Sequence, residues 1–486
     1  MSKWHTVIGI EVHTQLLTRS KMFCACPNDY AGAEPNTHVC PVCLGAPGML
    51  PVVNEQALRY GIMAALALRC HVPAWSWFER KNYPYPDLVK GFQLTQYTYP
   101  IGAHGAITIE TSAGPKEIRV NRVHLEEDTA KNTHVTNLAG ESYSLVDCNR
   151  AGVPLMEIVT EPDARSPEEA VAYLKKLRDI LVFLGIASGR MEEGAMRLEA
   201  NVSVRTTDEA EAGILRKRCE IKNLNSYDIV RQALEYEVKR QTRLYDRGEP
   251  VAQVTMGWDA VNQRTVFQRS KEEAHDYRYF PEPDLPPLRF GEAEVAAIRA
   301  TLPELRHEII ARYEQTLGLD RYRAELLAQS RSFASYFETA LAAFGKVERL
   351  ANVLLGDFLA QVNERGLSLE DCSSLPVSAA EVAELARQWD AGEVTGPQFK
   401  QILPHMFDHG VGVEQAKAAL GIRKAATDEL TPVLDEVLAA NADAVAKIQA
   451  GNTKVMAFLV GQVMKATRGQ ADPNEVGKLL SERLGL

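Results

Sequence analysis

The sequence predicts an α+β protein in three parts: a large antiparallel-sheet domain over residues 1–290, an all-helical domain over 291–409 and a small helical tail domain over 410–486. Before residue 290 the chain is rich in short runs that alternate apolar and polar residues, the period of strands with one face on a core and the other open. After it, apolar residues recur at the spacing of amphipathic helices. The proline-dense segment PEPDLPPLRFGEAE (281–294) separates the two regimes, and Gly410 and Gly412 interrupt the helical pattern just after His409.

The elements follow in chain order. In Val7–Leu16, Ile8, Ile10, Val12 and Leu16 point one way while Glu11, His13 and Gln15 point the other. Ile118–Asp128 places His124, Glu126 and Asp128 on one side. Ser166-Pro-Glu-Glu169 supplies an N-cap, a first-turn proline and two acids that suit a helix dipole, and Gly185 closes that helix. In Arg197–Arg205, Leu198, Ala200, Val202 and Val204 form an apolar face opposite Arg197, Glu199, Asn201, Ser203 and Arg205. Arg218, Glu220 and Lys222 share a face of a further strand, and Ser226–Arg247 reads as a helix ended by Gly248. Helical patterns then cover Glu292–Leu317, Arg321–Leu327, Ser332–Ala343, Lys346–Asn363 and Glu381–Ala391, and in the tail Pro432–Asn441, Ala442–Ala450, Val455–Thr467 and Asn474–Leu484.

Composition narrows the function. The 486 residues include 54 basic and 64 acidic side chains, a formal charge of −10, and 45% are hydrophobic, so the chain is globular rather than disordered. Non-specific duplex binding draws on a cationic surface, which this balance does not offer; nucleic-acid contact has to come from a local patch or from shape. No apolar run approaches the ~18 residues of a membrane span. The opening MSKWHTVIGIEVH does not read as a leader, so a soluble, cytoplasmic protein is expected.

Eight cysteines stand at 24, 26, 40, 43, 70, 148, 219 and 372. Cys24-x-Cys26 and Cys40-Pro-Val-Cys43 offer two close thiol pairs able to meet around Zn²⁺, and four thiolates fill a tetrahedral shell, so the site would be structural. A redox CxxC and simple buried cysteines are the alternatives. The chain has no Walker loop, no GxSxG elbow, no kinase signature and no HExxH. Its polar chemistry lies in carboxylates: Glu11 with His13 in mid-strand, His124-Leu-Glu126-Glu127-Asp128, and Glu192-Glu193. Acids from separate strands with cations nearby suit a Mg²⁺-nucleotide site; solvated turn charges are the bland reading of the two runs. The loop from Arg80 to Asp87, RKNYPYPD, followed by Lys90, combines prolines, aromatics and cations that can clamp a nucleotide or an RNA end, or pack on the core. Ser270–Tyr279 is a further patch of that kind.

These stretches together resemble the B subunit of the tRNA-dependent Asp/Glu-tRNA(Asn/Gln) amidotransferase. The resemblance runs through IGIEVHTQL (8–16), the cysteine segment ending CPVCLGAPGMLPVVN, RKNYPYPDLVKGFQ, VHLEEDTAK, SLVDCNRAGVPLMEIVTEPD, MEEGAMRLEANVSVR, EIKNLNS, RSKEEAHDYRYFPEPDLPP and GNTKVMAFLVGQVMKATRGQADP (451–473). It implies a "cradle" domain with an ATP-dependent kinase site, then a helical domain and a tail that contacts tRNA. It also implies a C–N ligase reaction. ATP and Mg²⁺ phosphorylate the side-chain carboxylate of Glu-tRNA(Gln) or Asp-tRNA(Asn). Ammonia from a partner amidase then yields the amide, and a third, small protein ties the two together as a heterotrimer. Neither membrane nor DNA enters that scheme. Carried onto this sequence, the resemblance implies Glu11, His13 and Glu126 as the Mg²⁺/ATP core and Asp128, Glu127 and Glu192 as outer members. Lys81, Tyr83 and Lys90 are implied as phosphate or acceptor-end contacts, Asn149, Arg150 and Glu157 as lining of the same pocket, and Cys24, Cys26, Cys40 and Cys43 as the structural zinc set. A non-catalytic, zinc-bearing scaffold that docks tRNA is the competing class.

Overall fold

The computed structural model of the chain describes residues 3–270, 276–422, 427–449, 455–467, 471 and 473–485. Within the polar patch at Ser270–Tyr279, residues 271–275 lie outside the described residues, as do parts of the tail segment 451–473.

Fifteen strands are present among the described residues: β1 (Trp4–Gln15), β2 (Trp75–Ser76), β3 (Glu79–Asn82), β4 (Phe92–Thr95), β5 (Gly102–Thr111), β6 (Gly114–Glu127), β7 (Lys131–Thr136), β8 (Ser142–Asp147), β9 (Pro154–Thr160), β10 (Met196–Thr206), β11 (Cys219–Leu224), β12 (Val254–Asp259), β13 (Arg264–Ser270), β14 (Phe280–Pro281) and β15 (Leu288–Arg289). Eleven of them form one sheet in the order β13-β12-β11-β10-β1-β9-β6-β4-β3-β14, with β5 also paired to β6; β7–β8 and β2–β15 are separate two-stranded ribbons.

Five helices accompany them: α1 (Glu55–Ala67), α2 (Pro167–Phe183), α3 (Thr207–Glu211), α4 (Tyr227–Asp246) and α5 (Glu292–Ala300). As the sequence predicts, Ser166 caps α2 by accepting from the Glu169 N–H, and Ser226 caps α4 through the Ile229 N–H. The period-2 alternation sorts each central strand into a buried and a polar face. The apolar row Leu198–Val12–Ile158–Val123 runs straight across β10, β1, β9 and β6, each of its residues at most 2% exposed. Helices α1, α2 and α4 cover this side: Gly61 of α1 fits against Ile101 and Leu125, and Gln241 of α4 donates to the Val202 carbonyl. The opposite face is left for the site.

The sheet departs from pure antiparallel pairing at one place, since β11 and β12 run parallel. Parallel neighbours need a long crossover, and α4 between them supplies it. Helix α1, with its Asn54 cap, was not anticipated: its apolar residues surround it too evenly to give an amphipathic stripe. The helix expected over Glu292–Leu317 is two, α5 and Arg306–Leu317, parted around Pro303, which cannot continue a helix. Because α5 packs on α1, it belongs with the sheet, and the chain divides into units 1–305 and 306–486.

The second unit is helical. Phe333, Phe337, Phe358 and Phe399 lie among its largest buried side chains, and Val347–Val353 runs through a π-helical turn at Leu354–Phe358 into Leu359–Glu364. Helices Gly396–His409 and Val413–Leu420, which periodicity did not single out, end at Gly410 and Gly421 in the left-handed conformation. Toward the C-terminus Leu430, Leu434, Ile448, Leu459, Val463, Val476 and Leu480 form a core of their own. No helix among the described residues is long and apolar enough to cross a membrane.

Candidate active site and thiol cluster

Strand register turns the polar face into a lattice. His13 on β1 lies opposite Arg197 on β10 and Glu157 on β9, and Glu157 lies opposite His124 on β6, so one row reads Arg197–His13–Glu157–His124. Two residues along β1, Glu11 faces Glu199. On the other side of the row, Glu126 pairs with Leu155, which pairs with Gln15. Residues some 150 positions apart are thereby held side by side by backbone hydrogen bonds.

His13 is surrounded by carboxylates: its Nε2 is 3.4 Å from Glu157 Oε2, 3.7 Å from Glu126 Oε1 and 3.8 Å from Glu11 Oε1. Glu157 also meets His124 Nε2 at 3.1 Å and Arg122 at 3.4 Å. Burial pushes the Glu11 carboxyl up to about 7, reinforced by the charges of Glu157 and Glu199 against His13 and Lys222. Burial alone would lower His13, but its hydrogen bond to Glu157 and the surrounding negative charge raise it to about 9. Burial works against the charge on Glu157, yet His124 and His13 hold its carboxyl well below the usual range. Asp128, buried beside the row, accepts from Gln15 Nε2 at 2.9 Å and pairs with Arg197 at 2.9 Å, and stays ionised despite its burial.

A cavity of about 610 Å³ opens over this lattice. Glu11, His13, Glu126, Asp128 and Glu157 line it, joined by Lys81, Tyr83, Tyr85 and Tyr277, with Lys81 Nζ 5.6 Å and 5.2 Å from the ring centres of Tyr83 and Tyr277. Glu199, Glu220, Lys222, Arg197 and Arg269 complete the wall, with Lys222 Nζ 2.6 Å from Glu199. Reading the sequence placed Glu199, Glu220, Lys222 and His124 on polar faces without nominating them, because alternation identifies a face but not its neighbours. The ligand atoms of Glu11–His13–Glu157, His124–Glu126–Glu157 and Glu11–Glu199–Glu220 lie within 4.8 Å of one another in each set, so the face fits a divalent cation.

Four of the expected residues lie elsewhere, and Arg150 only supports the wall. Glu127, one step from Glu126 on β6, points to the other side and pairs with Lys90; both line a second cavity of about 290 Å³ beside the cysteine segment. Asn149 is buried and ties two loops: its Oδ1 accepts from the His38 N–H at 2.8 Å and its Nδ2 donates to the Glu34 carbonyl at 2.8 Å. Arg150 donates to the carbonyls of Thr129 and Ala130 and sits 3.7 Å from Asp128, bracing the wall from behind. Glu192 is exposed in the turn before β10 and does not line the cavity.

Cys24, Cys26, Cys40 and Cys43 come together with their sulfurs within 4.8 Å of one another. The Cys40 N–H donates to Cys43 Sγ at 3.2 Å, a backbone contact suited to a thiolate. The hydrogen bond from Cys24 lowers the Cys43 thiol to about 5, against its burial and aided by the Cys40 backbone and Lys21. Four sulfur donors and an ionisable thiol fit a tetrahedral Zn²⁺ centre. The loop is tied to the cavity through Tyr30, hydrogen-bonded to Gln15, which in turn holds Asp128.

The family described as GatB/GatE catalytic domain matches residues 6–296, a span that contains this whole lattice, and the family described as GatB domain matches 335–484. The chain belongs to the GatB family. Among its relatives, proteins named as the B subunit of aspartyl/glutamyl-tRNA(Asn/Gln) amidotransferase are 45% identical in Dehalococcoides mccartyi, 46% in Nitratidesulfovibrio vulgaris and 46% in Moorella thermoacetica. The alignments cover at least 99% of this chain and of each relative. Membership of the GatB family makes the chain part of a carbon–nitrogen ligase, the amidotransferase.

Proposed function

We propose that the chain activates the side-chain carboxylate of Glu-tRNA(Gln), Asp-tRNA(Asn) or both by phosphorylation from ATP. Amidation follows with ammonia from a partner amidase, within a heterotrimer that a third, small protein completes. The observation that carries this reading is the convergence of Glu11, His13, Glu126 and Glu157 on one cavity that Lys81, Lys222 and Arg269 also line. A carboxylate is a poor electrophile at neutral pH. When its oxygen attacks the γ-phosphorus, the bond to the β-phosphate oxygen breaks, ADP leaves, and the acyl phosphate formed carries a good leaving group. Ammonia then attacks the acyl carbon, phosphate departs, and a proton passes to a carboxylate of the wall. Bound Mg²⁺ supplies positive charge to the phosphate oxygens. Glu11, His13 and Glu157, with Glu126 in an overlapping set through Glu157, would hold it. Lys81, Lys222 and Arg269 neutralise the polyphosphate, and Tyr83, Tyr85 and Tyr277 offer faces on which the base at the acceptor end stacks. The helical segments 291–409 and 410–486 are read as the parts that meet the tRNA body by shape, and the four cysteines as a structural zinc site.

The test is ADP formation by the reconstituted heterotrimer with misacylated and with uncharged tRNA. The reading expects ADP to depend on the misacylated form, and Glu11→Ala to abolish amidation while glutaminase activity and tRNA binding remain. Normal amidation by Glu11→Ala would leave the chain a docking scaffold.

A further inference from the structure

Lys21 is among the largest fully buried side chains of the protein, with no exposed surface. A buried ammonium without an anion is strongly unfavourable, so such a group has to have its counter-charge nearby. Among the described residues Lys21 pairs with no carboxylate. Its Nζ donates to the His38 carbonyl at 2.7 Å and the Cys148 carbonyl at 3.4 Å, and its third neighbour is Cys43 Sγ at 3.8 Å. Carbonyl oxygens solvate an ammonium but do not neutralise it, which leaves the sulfur as the one contact able to carry negative charge.

The placement is built in. The Lys21 N–H donates to the Cys26 carbonyl at 3.0 Å, the Lys21 carbonyl accepts from Asn54 Nδ2 at 3.1 Å, and the next residue, Met22, donates to the Gly152 carbonyl at 2.8 Å. Gly152 has φ +85°, and a side chain there would stand 3.4 Å from Cys43 Cβ and 3.5 Å from Lys21 Cδ, so the turn at 148–152 closes directly over the lysine stem and the thiol.

We propose that Lys21 is the internal counter-charge of the cysteine cluster, which holds a divalent metal ion as four thiolates. Four thiolates and one dication sum to −2, and Lys21 brings the buried assembly to −1. The inference rests on the reading of the cluster as a metal site and adds a residue that coordinates nothing but fixes the charge at which the site is stable.

The test compares the full-length protein with Lys21→Met, which keeps the stem and removes the charge, and with Lys21→Arg. Zinc retention is measured by competition with a chromophoric chelator, and thermal stability with zinc bound and after its removal. Lys21→Met is expected to bind zinc at least about tenfold more weakly, the usual scale for losing a group that supports metal ligands, with Lys21→Arg recovering part of the loss. The zinc-loaded variant should fall further below the wild type than the zinc-free variant does, since zinc holds all four sulfurs as anions while a metal-free thiolate can take up a proton. A packing role for the stem would lower both forms alike. Adding Lys21→Met to Cys43→Ser should raise the melting temperature above that of Cys43→Ser alone, a comparison that does not require Lys21→Met to fold by itself. Equal zinc affinity for wild type and Lys21→Met, or no recovery in the double variant, overturns the proposal. A wild-type chain that binds no zinc overturns the metal reading itself.

Discussion

Glu11 and His13 stand two residues apart on one strand, and both hold protons that a free side chain releases at lower pH: Glu11 to about 7, His13 to about 9. The raised value on Glu11 means that the folded, metal-free chain loses stability as pH climbs from 4.5 to about 7, where the unfolded carboxyl has already ionised. The raised value on His13 is a stabilisation fully present below 6.5 and lost as pH rises through about 9. Glu157, with a lowered value, acts only below 4.5. The two raised groups share a sign, and the Cys43 thiol, lowered to about 5, opposes them, so in a Cys43→Ser background and excess chelator the melting temperature should fall steadily from about pH 5 to about pH 9. A divalent cation has to displace the Glu11 proton, so its affinity should strengthen with pH up to about 7, approaching tenfold per unit. Melting curves and Mn²⁺ titrations at about pH 6 and about pH 8 check both; a flat profile would place the ion away from Glu11. Sequence alone identified Glu11 and His13 because mid-strand charges flanked by buried Ile10 and Val12 stand out. It set His124 and Lys222 on polar faces without nominating them, because their place in the lattice comes from what lies across the strand boundary.

Strand β6 shows how little separates two roles. Glu126 and Glu127 are adjacent, yet the pleat sends one to the cavity of the polar lattice and the other to Lys90 beside the cysteine segment. Glu126→Gln should therefore suppress ADP formation by at least about 100-fold while leaving the fold intact, a magnitude in line with losing an electrostatic group at a reacting centre. Glu127→Gln should act mainly on stability, and steady-state kinetics with thermal melts separate the two. Asn149 offers a second contrast. Its amide pairs with the N–H of half-buried His38 and the carbonyl of exposed Glu34, so Asn149→Ala should cost about 1–3 kcal/mol, the range for one desolvated group left unpaired. It should loosen zinc with little effect on the KM for ATP, as denaturant unfolding and chelator competition would report. The motif carrying Asn149 was legible in the sequence; its role was not, because a polar residue that lines a pocket and one that ties loops look alike until their partners are known.

At the scale of the chain, every residue of the candidate lattice lies in the unit 1–305. A chain ending after residue 305 should bind Mg²⁺-ATP with the affinity of the whole protein and lose tRNA binding, which calorimetry and filter binding would measure. The α+β class and the helical second half were readable from periodicity, since strands and amphipathic helices announce their faces. The parallel β11–β12 pair and the helix α1 were not, because crossover topology and an evenly buried helix leave no period to read. One further consequence comes from where β1 sits. It is made well before its two neighbours, β9 and β10, which lie roughly 140 to 200 positions downstream. At about 5–20 residues per second, synthesis keeps this strand waiting on the order of 7–30 s with both edges bare, and about 10–40 s for its second partner. Newborn chains therefore pass through a stretch in which an aggregation-prone ribbon has no mate, and a translational stall before residue 206 should leave them dependent on chaperones.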